Sequence, residues 1–154
     1  MGTSTDAILA YGYDFGNGED WLVREVSEYG DLAVDWYDSE AEDLDFVEAV
    51  EAKLLAAAGF TEADWQVDGY FERKRDALAT FGVEVVSHCS IDYPMYILAA
   101  HSTTARRGAP EAVDLADMSA LQEDADARLA RALEALGLTP MQDKPAWLLA
   151  SDWG

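Results

Sequence analysis

Residues 88–94 read HCSIDYP, and His101 follows on the next apolar run, so one short region holds a thiol, a hydroxyl, a carboxylate and two imidazoles. These are the groups of nucleophilic catalysis. A thiolate attacks only when a base stands within hydrogen-bond reach. Pairing of 83–90 with 94–104 as a hairpin would put His101 on the strand facing the one that carries His88 and Cys89. Residue types alone do not fix that distance. His88, Cys89 and His101 therefore define the secondary expectation: a small enzyme or small-molecule-binding domain built on the Val86–Pro94 hairpin. Their plainer roles are a small buried thiol and hydrogen-bonded strand histidines.

No cofactor or metal is expected. Neighbours on a strand face apart, so His88, Cys89 and His101 fall short of a zinc set. The loop DFGNGED offers Asp14, Asn17, Glu19 and Asp20 but lacks the spacing and terminal glutamate of a calcium-binding loop. The GNG turn lacks the following helix and lysine of a phosphate-binding loop. Non-enzymatic action is the primary expectation.

Charge points elsewhere. The 154 residues hold 31 acids against 10 bases, a formal net charge of −21. The excess concentrates in residues 1–60, where the only bases are Arg24 and Lys53. Direct binding to nucleic acid or anionic lipid is opposed, and a basic protein partner is favoured. The densest run is DSEAEDLDFVEAVE, beside Trp36. Trp36, Asp38, Glu40, Glu42, Asp43 and Asp45 are the candidate partner-binding residues, tryptophan as anchor and carboxylates selecting a cationic surface. With Glu40, Asp43 and Glu51 on the outer face of a helix, the acids would imitate DNA phosphates. Arg73-Lys74-Arg75 and Arg106-Arg107 either neutralise nearby acids or meet the acidic face of a second copy, giving a homodimer.

Four of the five tryptophans follow an aspartate, at 20–21, 35–36, 64–65 and 152–153. Alternation on a strand makes the plain pattern a buried indole beside an exposed carboxylate.

These groups need a scaffold. Half the residues are hydrophobic and aromatics are plentiful, so a chain of this length buries a core as one domain. No apolar run is long enough to span a bilayer, no signal peptide is evident, and one cysteine fits a reducing cytoplasm. Strands are expected at 6–15, 21–26, 32–38, 83–90 and 94–104, with AVDL (112–115) as a short edge strand and a last strand from Pro145. A Ser39–Glu42 capping box opens a first helix with the stripe Phe46, Val47, Val50, Leu54, Leu55 and a stop at Gly59. Thr61 with Asp64 repeats the cap spacing for a second helix, with the stripe Val67, Tyr70, Phe71, Lys74, Leu78 and Phe81 and an end at Gly82; Gly69 and the TEADW start point alternatively to a beginning near Asp68. A third opens at Ser119, runs through Leu121, Ala125, Leu129, Ala132, Leu133 and Leu136, and ends at Gly137. The fold class is α+β: a mostly antiparallel sheet of about five strands with about three helices packed on it.

Three strands share a motif: ILA at 8–10, ILA at 97–99 and LLA at 148–150. Unequal spacing excludes a repeat array. The expected reason for the alanines is close approach of covering helices.

The opening MGTSTDAILAYGYDFG and the segment FGVEVVSHCSIDYPMYILAA with TARRG resemble uncharacterised small acidic proteins of actinobacteria and their bacteriophages. The resemblance implies a GC-rich host and a phage gene. It carries no activity, cofactor or site residue onto this chain.

Overall fold

The computed structural model describes residues 4–41 and 43–154. The elements run β1 (Thr5–Asn17), β2 (Asp20–Trp21), α1 (Phe46–Ala57), α2 (Tyr70–Ala79), β3 (Glu84–Ser90), β4 (Pro94–Arg106), α3 (Leu115–Leu136) and β5 (Ala146–Trp153). This is an α+β arrangement on a mixed sheet. β1 pairs antiparallel with β2, β4 and β5, and β3 pairs antiparallel with β4. The single parallel pairing joins the ends of β3 and β5, Cys89 with Asp152 and Ser90 with Trp153. β1, β4, β3 and β5 thus close a circuit, and the sheet is rolled. Register shifts between β1 and β4 at Tyr11/Gly12 and Asp14/Gly16 supply bend and twist, as bulges do.

The roll creates an inside and an outside. Inside, Ile8 and Ala10 from β1 meet Ile97 and Ala99 from β4, with Val86, Leu148 and Ala150 packed against them. Apart from Val86, these are the first and third residues of each ILA or LLA motif. The echo is therefore a solution to one problem, filling a narrow roll with a large residue and a small one from each strand. It corrects the expected role of the alanines: Ala10, Ala99 and Ala150 face other strands, not helices. Gly12 belongs to the same close approach. A Cβ there would lie 1.8 Å from the Leu98 carbonyl oxygen, so β1 and β4 tolerate no side chain at that point.

Outside, α1 and α3 cover Tyr11, Phe15, Trp21 and Leu98 with Phe46, Val50, Leu54, Ala125, Leu129, Ala132 and Leu136. The stripe expected on α3 is the buried one except at Leu121, which is exposed, and at Leu133, which is only half-buried. Gly137 closes α3 in the left-handed conformation, φ 68°.

Several boundaries differ from expectation. α1 is capped by Asp45, whose side chain accepts from the Glu48 amide while Glu48 reaches back to the Asp45 amide. This capping box lies six residues beyond Ser39, because Asp45 directly precedes Phe46, the first residue of the apolar stripe. Glu42 lies outside the described residues. α3 starts before Ser119, since Asp114 accepts from the Ala116 and Asp117 amides; AVDL is thereby a cap and first turn, not a strand. α2 begins after Gly69, and its expected stripe is shallow: Val67 and Phe71 are exposed and no residue of the helix is fully buried.

The strands expected at 21–26 and 32–38 are mostly absent. The first reduces to β2 and isolated bridges from Val23 to Pro140 and Val26 to Leu32. In the second, Leu32, Val34 and Trp36 do turn inward onto the core. Alternation there reports burial of a segment laid against the end of α3 and the start of α1, without a ladder.

Candidate functional site

The acid-rich segment is a loop packed on an aromatic cluster. Phe46, at the start of α1, is the hub: its ring centroid lies 4.8 Å from Trp21, 4.8 Å from Tyr96, 5.4 Å from Tyr37 and 6.2 Å from Trp36. The cap at Asp45 fixes where Phe46 enters this cluster, so local helix chemistry positions the rings. Trp36 is half-buried and donates its indole N–H to the Leu136 carbonyl at 2.9 Å, which makes it a brace between the loop and α3 rather than a displayed anchor. Asp38, Glu40, Asp43 and Asp45 are exposed. Asp38 accepts from the Glu40 amide at 2.9 Å, and Asp45 is engaged as the cap. Glu40 and Asp43 precede α1 and only Glu51 of the expected three lies on it, where Lys74 pairs with it, which corrects the geometry expected for phosphate imitation.

Carboxylates also reach the hydroxyl ends of the rings. Tyr37 is raised above the ordinary tyrosine value by burial, then by Asp45 and Asp38. Tyr96 is raised by burial, then by Tyr37 and Asp45. Both hydroxyls stay protonated in a negative field.

The three residues of the hairpin candidate do not converge. His88 follows Val86 on the inner face of the roll, whereas His101 pairs with Tyr11 on the helix-covered face. His88 faces Met95, and His101 lies six residue steps further along β4, on the order of 20 Å. Cys89 is exposed, not buried as its plainer role required, and sits at φ 79°, the only non-glycine with positive φ among the described residues. Burial pushes His88 below the ordinary histidine value, against the opposing pull of Asp14 and Asp152, and its Nε2 is buried without a hydrogen-bond partner among the described residues.

His101 has a structural partner. Arg128 of α3 approaches its Nε2 at 2.8 Å and also donates to the carbonyls of Gly82 and Ala100 and, through Nε, to Asp124 at 2.9 Å. A ring nitrogen facing a guanidinium must accept, so His101 carries its proton on Nδ1 and stays neutral; burial and Arg128 both push its pKa down. This clamp joins the end of α2, β4 and α3. Its sequence signal is Arg128 standing three residues after Ala125 and four before Ala132, inside the apolar stripe of α3.

Other cations are committed locally. Arg73 grips Glu62 and the Asp68 carbonyl, Lys74 ties α2 to Glu51 of α1 at 2.9 Å, and Arg75 lies 3.6 Å from Asp76. Arg106 and Arg107 join none of the ion pairs among the described residues. Of the Asp-Trp pairs, Trp21 follows the buried-indole pattern, Trp36 is half-buried, and two do not follow it: Trp65 is 61% exposed and Trp153 57%. Among the described residues no group of three or more potential ligands could hold a metal ion, and no helix is long and apolar enough to cross a membrane. No family model, no curated protein and no solved structure matches this chain.

Proposed function

We propose that this chain is a non-enzymatic interaction protein, of phage origin and acting in a host cytoplasm, whose acidic loop binds a basic protein. The observation that carries this reading is the outward, unmatched charge of the acidic loop. Asp38, Glu40 and Asp43 are exposed and join no ion pair among the described residues; the cations that do pair, Arg73, Lys74, Arg75 and Arg128, are matched to other acids. Unmatched surface carboxylates attract a cationic partner over about a Debye length and speed its capture. Rigid aromatic packing beneath them keeps the loop in place at little entropic cost on binding. A nucleic-acid-handling protein has the Lys/Arg surface such a loop fits, and DNA mimicry is the most specific form of this function.

The test captures proteins from actinobacterial lysate with the tagged chain at low and high salt, beside the variant Glu40→Gln/Glu42→Gln/Asp43→Asn. Asp45 is left intact because its loss would uncap α1. A basic protein retained by the wild type at low salt, and lost both at high salt and from the variant, is the expected result. Retention indifferent to salt and to the substitutions refutes it.

A further inference from the structure

Beside the acidic loop lies a cavity of about 190 Å³ whose lining includes Glu19, Trp21, Tyr37, Asp92, Tyr93 and Tyr96. Four aromatic rings and two carboxylates line it, and no lysine or arginine does. Its walls are ordered by packing. Trp21 lies nearly parallel to Tyr96, with centroids 5.9 Å apart and 12° between planes. Tyr37 stands edge-on to Trp21 at 6.3 Å and 79°. Tyr93 is 65% exposed and forms a free rim. Asp38 and Asp45 stand close enough to act on the Tyr37 hydroxyl, so the same end of the molecule adds further negative charge.

Aromatic faces are negative and attract a cation within about 6 Å of the ring centroid. Carboxylates at the rim add charge selection without needing deep burial. An apolar ligand would gain from the rings but would leave Glu19 and Asp92 unanswered. An anion would be repelled. We propose that this cavity is the anchor subsite for one cationic side chain of the basic partner, the alkylammonium of lysine or the guanidinium of arginine; this rests on the function proposed above. Tyr93, with the accessible parts of Tyr37 and Tyr96, takes the methylene stem and the charged head, buried Trp21 forms the floor, and Glu19 and Asp92 stand at the mouth. Three separate chain segments build the subsite: the β1–β2 turn, the loop before α1, and the β3–β4 turn. Sequence distance hid it, since Trp21, Tyr37 and Tyr93 share no local pattern.

The test uses n-butylammonium chloride as a lysine side-chain probe, with n-butanol as its neutral isostere at equal ionic strength, followed by NMR on the full chain. A saturable upfield shift of the butylammonium methylenes, absent for butanol, is expected. Tyr93→Ala should weaken it about fivefold, as loss of one exposed cation–π contact does. Glu19→Gln/Asp92→Asn should weaken it by a similar factor, and Tyr93→Phe should restore it. All these positions lie at the rim, so folding is not at stake. Equal shifts with butanol would reduce the cavity to an apolar cleft and overturn the proposal. So would the absence of saturation, or shifts that survive both variants. Failure here with a salt-sensitive basic protein still captured from lysate removes the subsite alone. Butylammonium binding with no such capture removes the broader function alone.

Discussion

Arg128 of α3, held against the middle of β4, and the outward carboxylates of the β1–β2 turn, the loop before α1 and the β3–β4 turn show two opposite fates of charge in one acidic molecule. Arg128 retains 17% of its side-chain exposure and meets two carbonyls, an imidazole and a carboxylate. Glu19, Asp38, Glu40, Asp43 and Asp92 face solvent and join no ion pair among the described residues. Where a charge is satisfied internally, it ties elements together and its removal strands several buried groups. Where it is left outward, removal costs the fold little and changes what the surface attracts. Net charge alone does not separate these roles; pairing and burial do.

The sheet beneath both regions is the place to break them together. Gly12→Ala pushes a methyl into the Leu98 carbonyl, and strand separation there should cost about 3 kcal/mol or more, read as a fall in the denaturation midpoint. Next in size is the clamp. Arg128→Met keeps the stem but strands the Gly82 and Ala100 carbonyls, and about 2–3 kcal/mol of stability should go at any salt concentration. By contrast, Glu40→Gln/Glu42→Gln/Asp43→Asn should raise the melting temperature by roughly 1–3 °C at low salt through relief of self-repulsion, and the gain should vanish in concentrated salt. Salt dependence therefore sorts the two regions.

The smallest effect is protonic. His101 has its folded value lowered from 6.5 by burial and Arg128, with Asp124 opposing. The unfolded chain thus takes up its proton first as pH falls. The histidine's contribution is intact above 6.5 and is lost progressively as pH drops below that value towards the lowered folded pKa. Protonation of the repelling carboxylates acts in the opposite direction near the sequence pI of about 4.1. Subtracting the profile of His101→Gln isolates the imidazole, and the wild type should show the steeper loss as pH falls below 6.5.

Local signals in the sequence were legible where one element decided the outcome. The β3–β4 hairpin, the Gly137 stop and the buried stripe of α3 follow from turn residues and periodicity. The ILA echo was visible, but its meaning needed the roll: the face that Ile8, Ile97 and Leu148 share becomes an interior where β1, β4, β3 and β5 close on one another. Leu32, Val34 and Trp36 alternate like a strand because burial on one side imposes that period with or without a ladder. His88 and His101 looked close because the hairpin was visible while its register, and the face each ring takes, was not. The candidate acids were readable as a run; that Trp36 braces α3 and Asp45 caps α1 required coordinates.

The most direct test of the central claim is the lysate capture, comparing the wild type with Glu40→Gln/Glu42→Gln/Asp43→Asn at low and high salt. The account predicts a basic protein held only by the wild type and only at low salt. A partner held equally by both chains, or one indifferent to salt, would contradict it.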